Sequence, residues 1–216
     1  MFIGHFAIAF AAKKNDNKPS PGTTFFAAQW LDLLWPVLLL TGTESAAIAP
    51  EGSKIPLEFT NYPISHSLLF VLFWALLFGL LYYFIKRNVK AAILIGLLVM
   101  SHWLLDLLVH VPDLPLSPSG DLEFGLGLWN YKYTELVIEL GLFMVGVYLY
   151  LKSMKAKSAA GNIILWSLII FLLVVHLLNS FGPPPKDMKT VATMALTEYL
   201  LIAWAYWADA NRTPVT

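Results

Sequence analysis

Long, uninterrupted runs of apolar residues dominate the pattern along this chain. Five of them are each about 18 to 21 residues long, enough to cross a hydrocarbon core about 30 Å thick at about 1.5 Å of rise per helical residue. They cover residues 67–85, 91–111, 133–151, 163–181 and 191–208. The pattern therefore predicts an all-α, polytopic transmembrane helix bundle with about five full spans.

Residues 1–40 follow a different pattern. Two shorter apolar runs, 1–12 and 24–40, flank a segment, 13–23, that is rich in Asn, Pro and Gly, the residues of turns. The second run also contains Asp32 and a proline. We therefore predict an N-terminal hairpin of short helices packed beside the bundle. Because no basic segment precedes the first run, we expect no cleaved signal peptide.

The predicted hairpin brings two ionisable residues together. If its arms fold antiparallel about the turn, with Ala12 beside Phe25, then His5 lies at the same level as Asp32. An ionisable side chain within a membrane span costs on the order of 2.5–3.5 kcal/mol, so such residues usually face the interior of a bundle and find partners there. We therefore expect His5 and Asp32 to be neighbours in the folded protein.

The domain organisation follows from these runs and from composition. Apolar residues make up 58% of the chain and charged residues 13%, a balance that favours a lipid environment over a soluble domain. The connections are short and no linker or repeat interrupts them. We predict one integral membrane domain, residues 1–216, with the hairpin at 1–40, an outward loop at 41–65 and the five-span bundle at 66–208. Membrane lipid is the expected partner, and the pattern leaves the oligomeric state open.

Charge and cysteine content exclude several classes of function. The 14 basic and 14 acidic residues give a net charge of zero, so no nucleic acid partner is expected. The sequence contains no cysteine, which excludes disulfides, thiolate zinc sites and iron–sulfur clusters. Histidine, aspartate and glutamate therefore remain as the strong metal ligands.

Basic residues in the short loops predict the orientation of the bundle. Under the positive-inside rule, the loops after the first and third long runs should be cytoplasmic. Their basic residues are Lys86, Arg87, Lys90, Lys152, Lys155 and Lys157. The segments 41–66 and 111–133 then face outward.

Ionisable residues of the spans collect at this predicted outer face. They are His66, His102, Asp106, His110, Glu135 and Glu139. Three of them follow the spacing i, i+4, i+8 and two more the spacing i, i+4, which places each set on one helical face. A divalent cation would neutralise such a set. Imidazoles with carboxylates suit zinc first, whereas manganese or magnesium would suit a site with more carboxylate and water ligands.

Four motifs resemble those of the YdjM-type membrane-bound metal-dependent hydrolases of bacteria. They are Gly4-His5, Trp30-Leu31-Asp32, Ser65-His66-Ser67 and the run Ser101-His102-Trp103-Leu104-Leu105-Asp106. The resemblance implies a bacterial inner-membrane protein with a metal site. The ligand order is also similar to that of zinc-dependent phospholipases C, and it comprises His5, Asp32, His66, His102 with Asp106, and His110. Glu135, followed by Glu139, stands where those enzymes have a final histidine.

The resemblance implies metal-assisted hydrolysis of phosphate esters or of phospholipid-like substrates at the outer face. In that chemistry Asp32 or Glu135 would bridge metal ions or accept the proton of the attacking water. Two alternatives remain at this point: a proton- or metal-ion-coupled transporter, and a noncatalytic scaffold with a structural metal. His176 is expected to have a structural role, and Glu198 on the last span is one candidate partner for it.

Overall fold

The computed structural model describes residues 1–215 and shows an all-α helical bundle. Within that part of the chain, three small two-stranded sheets accompany the helices. The helices are α1 (Ile3–Asn15), α2 (Pro21–Ala28), α3 (Trp30–Leu40), α4 (Pro63–His66), α5 (Leu68–Lys86), α6 (Val89–Val109), α7 (Lys132–Ser153), α8 (Ala159–Phe181), α9 (Met188–Ala195) and α10 (Glu198–Ala210). A short 3-10 helix, Leu128–Asn130, precedes α7.

The structure confirms the five predicted spans. Helices α5, α6, α7 and α8 and the segment Met188–Ala210, which contains α9 and α10, are long and apolar enough to cross a membrane. Many large apolar side chains of these helices, such as Leu76 and Ile85 on α5, are exposed. Their exposure is explained by lipid, because the bilayer core is itself an apolar solvent.

The boundaries of the spans differ from prediction in one place that affects the site. The second run was predicted to continue to residue 111, but α6 ends at Val109 and His110 has non-helical backbone angles of φ −60° and ψ 144°. Because the 3.6-residue period holds only within a helix, His110 does not continue the helical face of His102 and Asp106. The other end of α6 begins as sequence patterns favour, with the Asn88 side chain accepting a hydrogen bond from the Ala91 amide.

Helix α1 is the central element of the bundle. Its side chains are buried almost without exception from Ile3 to Lys13, and it packs against α2, α6, α7 and α8. Aromatic rings fill the space around it, with Phe10 4.8 Å from Phe25 and 5.1 Å from Tyr150 between ring centroids. A helix this short gains its stability from such packing rather than from its own propensity.

The N-terminal hairpin forms, but its second arm is not one helix. Helices α2 and α3 meet at Gln29 and are bent by 55° relative to each other, as in a broken span or a re-entrant segment. Residues 16–20, within the predicted turn, connect α1 to α2, and Ser20 caps α2 by accepting a hydrogen bond from the Gly22 amide. The bend matters for the site because Asp32 lies in the first turn of α3.

The segment between the hairpin and α5 is more ordered than the predicted loop. Strands β1 (Ser45–Ile48) and β2 (Leu57–Asn61) pair antiparallel, and α4 follows them. A second strand pair, β3 (Leu114–Pro115) with β4 (Glu123–Phe124), lies in the connection between α6 and α7. Short strands are hard to predict from so few residues, because their pairing depends on neighbours distant in sequence.

The other end of the bundle carries the basic loops. Strand β5 (Met154–Ala156) pairs with β6 (Arg212–Pro214). Lys13, Lys90 and Lys152 line one cavity of about 320 Å³. The turn of the N-terminal hairpin and the two basic loops therefore lie together at this end.

Close contact between α1 and α7 depends on Gly146. A Cβ atom at this position would lie 2.3 Å from the carbonyl oxygen of Ala7, which is backbone and cannot move aside. We expect Gly146→Ala to destabilise the protein by about 1–3 kcal/mol through overpacking. At Gly141, on the same helix, a Cβ atom would meet no other atom within 4 Å, so Gly141→Ala should be neutral or slightly stabilising. Thermal unfolding in detergent compares the two variants, and equal midpoints would contradict the expectation.

Candidate metal centre

Five ionisable side chains from four helices meet at the end of the bundle opposite the basic loops. His5 lies in the first turn of α1, Asp32 in the first turn of α3 and His66 at the end of α4. His102 and Asp106 lie one turn apart on α6. We call these five residues the histidine cluster. The structure therefore brings His5 beside Asp32, as the hairpin pairing predicted.

Asp106 is the centre of the histidine cluster. Its Oδ1 lies 3.1 Å from Nε2 of His5 and 2.6 Å from the amino group of Met1. Its Oδ2 lies 3.1 Å from Nε2 of His102 and 3.8 Å from Nε2 of His66. The side chain is almost completely buried, so its charge has to be balanced by these neighbours.

Asp32 closes the cluster on the other side. Its carboxylate oxygens lie 3.5 Å from Nε2 of His102 and 3.6 Å from Nε2 of His66. The Asp32 side chain is 28% exposed, whereas those of both histidines are 5% exposed or less. Asp32 is therefore the member of the cluster that contacts the exterior.

His102 shows that the cluster has the geometry for a cation. Its Nδ1 lies 2.6 Å from the carbonyl oxygen of Ala28, and because a carbonyl only accepts, Nδ1 carries the hydrogen. In the neutral ring Nε2 then has a lone pair directed among the oxygens of Asp32 and Asp106. Nε2 is buried and makes no hydrogen bond to any described residue, despite these short distances. A lone pair beside two carboxylates is repulsive unless a proton or a metal ion lies between them, and the buried donors around Nε2 would suit a divalent metal.

A second group, the glutamate cluster, consists of Glu135, Glu139 and His176. Glu135 and Glu139 lie one turn apart on α7, and α8 contributes His176, so that one ligand atom of each lies within 4.8 Å of the others. Glu139 also accepts hydrogen bonds from the amides of Phe2 and Gly4, at 3.0 Å each from Oε2. It thus satisfies free N–H groups at the start of α1. Nε2 of His176 is buried without a partner among the described residues.

His176 has different neighbours from those predicted. The sequence indicated that His176 lies near the outer end of α8, but not that its side chain faces α7. Glu198, its suggested partner, forms no ion pair with it among residues 1–215. Its Oε2 is buried and has no hydrogen-bond partner among residues 1–215.

His110 lies outside both clusters. Its Nδ1 is 2.8 Å from Oδ1 of Asp113, and its ring packs against Trp129, with 4.2 Å between centroids. Tyr62 donates a hydrogen bond to the carbonyl oxygen of Asp113 at 2.8 Å. Burial lowers the pKa of His110, against the opposing effect of its hydrogen bond to Asp113. Of the eight predicted ligands, the structure thus brings five into the histidine cluster and two into the glutamate cluster, and leaves His110 apart.

Comparison with known proteins gives a family match for this chain. Residues 54–182 match the family described as YdjM inner membrane protein. The matched range includes His66, His102 and Asp106 of the histidine cluster and all of the glutamate cluster. No curated protein and no solved structure matches the chain.

Proposed function

This chain belongs to the family of YdjM inner membrane proteins, and we propose that it acts as a membrane-bound, metal-dependent hydrolase of phosphate esters. The histidine cluster is the observation that carries the proposal. It offers three imidazoles and two carboxylates in two groups of three that share His102, more donors in all than the four of a closed structural zinc site. Zinc is the metal that this donor set favours, and manganese or magnesium would need more oxygen ligands.

The two clusters would hold two ions. His66, His102 and Asp106 are arranged for one ion, and Glu135, Glu139 and His176 for another. When bound, such ions lower the pKa of a coordinated water and hold phosphate oxygens for in-line attack.

We assign proton transfer to the carboxylates that border the site. Asp32 is suited to accept the proton of the attacking water, because it is the exposed member of the histidine cluster. Glu135 is the corresponding candidate on α7. Glu139 is less free for that role, since its oxygens are already bound by amides at the start of α1.

The position of the clusters supports a substrate from the outer leaflet. Both clusters lie at the end of the bundle opposite the basic loops, and the positive-inside rule assigns the basic end to the cytoplasm. A phospholipid or another lipid-linked phosphate reaches such a site from the membrane surface. The proposed orientation therefore places the site on the periplasmic or extracellular side.

The aromatic core of the bundle favours hydrolysis over transport. A transporter needs polar groups through the depth of the bilayer, usually beside broken helices at its middle. Below the histidine cluster, Phe6, Phe10 and Phe25 are completely or almost completely buried against one another, with ring centroids 4.8–5.0 Å apart along Phe6–Phe25–Phe10. This packing separates the two clusters from the basic end of the bundle, which supports a one-sided active site, although the break between α2 and α3 is a feature that transporters share.

Metal content and hydrolysis of the detergent-purified protein test the proposal together. We expect one to two equivalents of zinc per chain by elemental mass spectrometry, as two clusters would hold. Hydrolysis of bis(4-nitrophenyl) phosphate, and of phosphatidylcholine in mixed micelles, should stop on chelation and return with zinc. Well-folded protein that binds no zinc, manganese or magnesium after reconstitution would sink the hydrolase proposal and favour a transporter.

A further inference from the structure

Glu44 is a buried carboxylate that neither cluster includes. It precedes β1, in the segment that leads out of α3, and its side chain is 3% exposed. Its Oε1 accepts hydrogen bonds from the amides of Ile64 and Ser65, at 2.7 and 2.8 Å. Its Oε2 lies 2.6 Å from the hydroxyl of Ser65. Within residues 1–215 Glu44 has no ion-pair partner, so its charge is stabilised by hydrogen bonds alone.

The hydrogen bonds of Ser65 continue from Glu44 to the histidine cluster. Ser65 Oγ lies 2.7 Å from Nδ1 of His66, and Nε2 of the same ring lies 3.6 and 3.8 Å from Asp32 and Asp106. Three buried groups in series therefore connect the outer segment with the candidate metal position.

The direction of each hydrogen bond in this series is fixed by chemistry. A carboxylate only accepts, so the single hydroxyl hydrogen of Ser65 points to Glu44. The other acceptor near that hydroxyl, the Tyr62 carbonyl oxygen, is 3.5 Å away and competes poorly. Ser65 Oγ can then only accept from His66, which places a hydrogen on Nδ1 and, in the neutral ring, leaves the lone pair on Nε2.

We infer that Glu44 is a positioning residue that acts through Ser65 to hold His66 in the Nδ1–H tautomer, with Nε2 free to bind a metal ion. The inference deepens the proposed function and rests on it for the identity of the ligand. Metal-bound histidines commonly donate their other N–H to a carboxylate or a carbonyl, and here a hydroxyl is inserted before the carboxylate. Loss of such an outer partner typically weakens metal binding by about 10- to 100-fold.

Glu44→Gln is the most direct test, because it should reverse the direction of the hydrogen bonds through Ser65 to His66 while keeping each contact. The Gln oxygen can still accept from the Ile64 and Ser65 amides, which turns its NH₂ group toward Ser65 Oγ. Ser65 then accepts from the amide and donates its hydrogen to Nδ1 of His66, so the ring hydrogen moves to Nε2. Glu58→Gln, an exposed carboxylate on the neighbouring strand β2, is the matched control.

The readouts are the ¹⁵N shifts of His66 in chelator-treated protein and the zinc affinity. We expect wild type and Glu58→Gln to show protonated Nδ1, and Glu44→Gln to show protonated Nε2 with zinc affinity about 10- to 100-fold lower. A wild-type ring protonated on Nε2, or shifts that Glu44→Gln leaves unchanged, would overturn the inference. If the tautomer reverses as expected but wild type binds no metal, the positioning role stands and the hydrolase proposal fails.

A second pair of variants covers the case in which Glu44→Gln does not fold. Ser65→Ala removes the hydroxyl but keeps both amide hydrogen bonds to Glu44, whereas Ser65→Thr keeps the hydroxyl. We expect mixed His66 tautomers and weaker zinc binding in Ser65→Ala, with both restored in Ser65→Thr. Equal spectra for the two variants would contradict the inference.

Discussion

Replacing Asp106 by Asn is expected to abolish metal binding in the histidine cluster and, with it, hydrolysis. The substitution keeps the shape of the side chain but removes the negative charge that faces three histidine nitrogens within 3.8 Å. Because Asp106 is proposed as a direct ligand, zinc affinity should fall by more than the roughly 100-fold that marks loss of an outer partner. Isothermal titration with zinc in detergent measures the change.

Folding has to be separated from metal binding in this experiment. Breaking a buried charge pair costs about 3–5 kcal/mol, so Asp106→Asn is compared only as the monodisperse fraction from size exclusion. Asp113→Asn removes a carboxylate that contacts His110 outside both clusters and should leave zinc binding intact. His102→Gln, which should also lose zinc, serves if the Asp106 variant does not fold. Wild-type zinc affinity in a folded Asp106→Asn protein would contradict the assignment.

Replacing His176 by Ala is expected to remove about one metal ion per chain, whereas His110→Ala should remove none. His176 completes the glutamate cluster, and its Nε2 has no other partner among the described residues. His110 is held by Asp113 and Trp129 and lies outside both clusters. The ligand order in the sequence favours the opposite result, so the two variants decide between sequence order and tertiary geometry.

Elemental mass spectrometry of both variants, beside wild type, gives the answer as ions per chain. Partial loss in His176→Ala would place an ion in the glutamate cluster while the histidine cluster keeps its own. Full metal content in His176→Ala would mean that the glutamate cluster holds no ion. The role of Glu139 would then be to cap the start of α1. Loss in His110→Ala would show that its ring leaves Asp113 when metal binds.

The sequence alone determined the spans and most of the histidine cluster. Apolar runs of membrane length can only be helices, because lipid offers no partners for backbone N–H and C=O groups. His102 and Asp106 are one helical turn apart, so any helix places them together. His5 and Asp32 follow from a hairpin whose turn residues are plain in the sequence. Each of these conclusions depends on distances along one helix or about one turn.

Tertiary structure decided everything that depends on how one helix is rotated against another. His176 reaches Glu135 and Glu139 because of the rotation of α8 against α7, and an apolar run surrounded by lipid and protein carries little signal for that angle. Glu44 reaches Ser65 because the outer segment folds back, through a strand pair too short to predict. His110 leaves its predicted face because α6 ends at Val109, and past a helix end the period of about 3.6 residues no longer applies. Local periodicity thus fixes which residues share a helix face, whereas packing between elements fixes which faces meet.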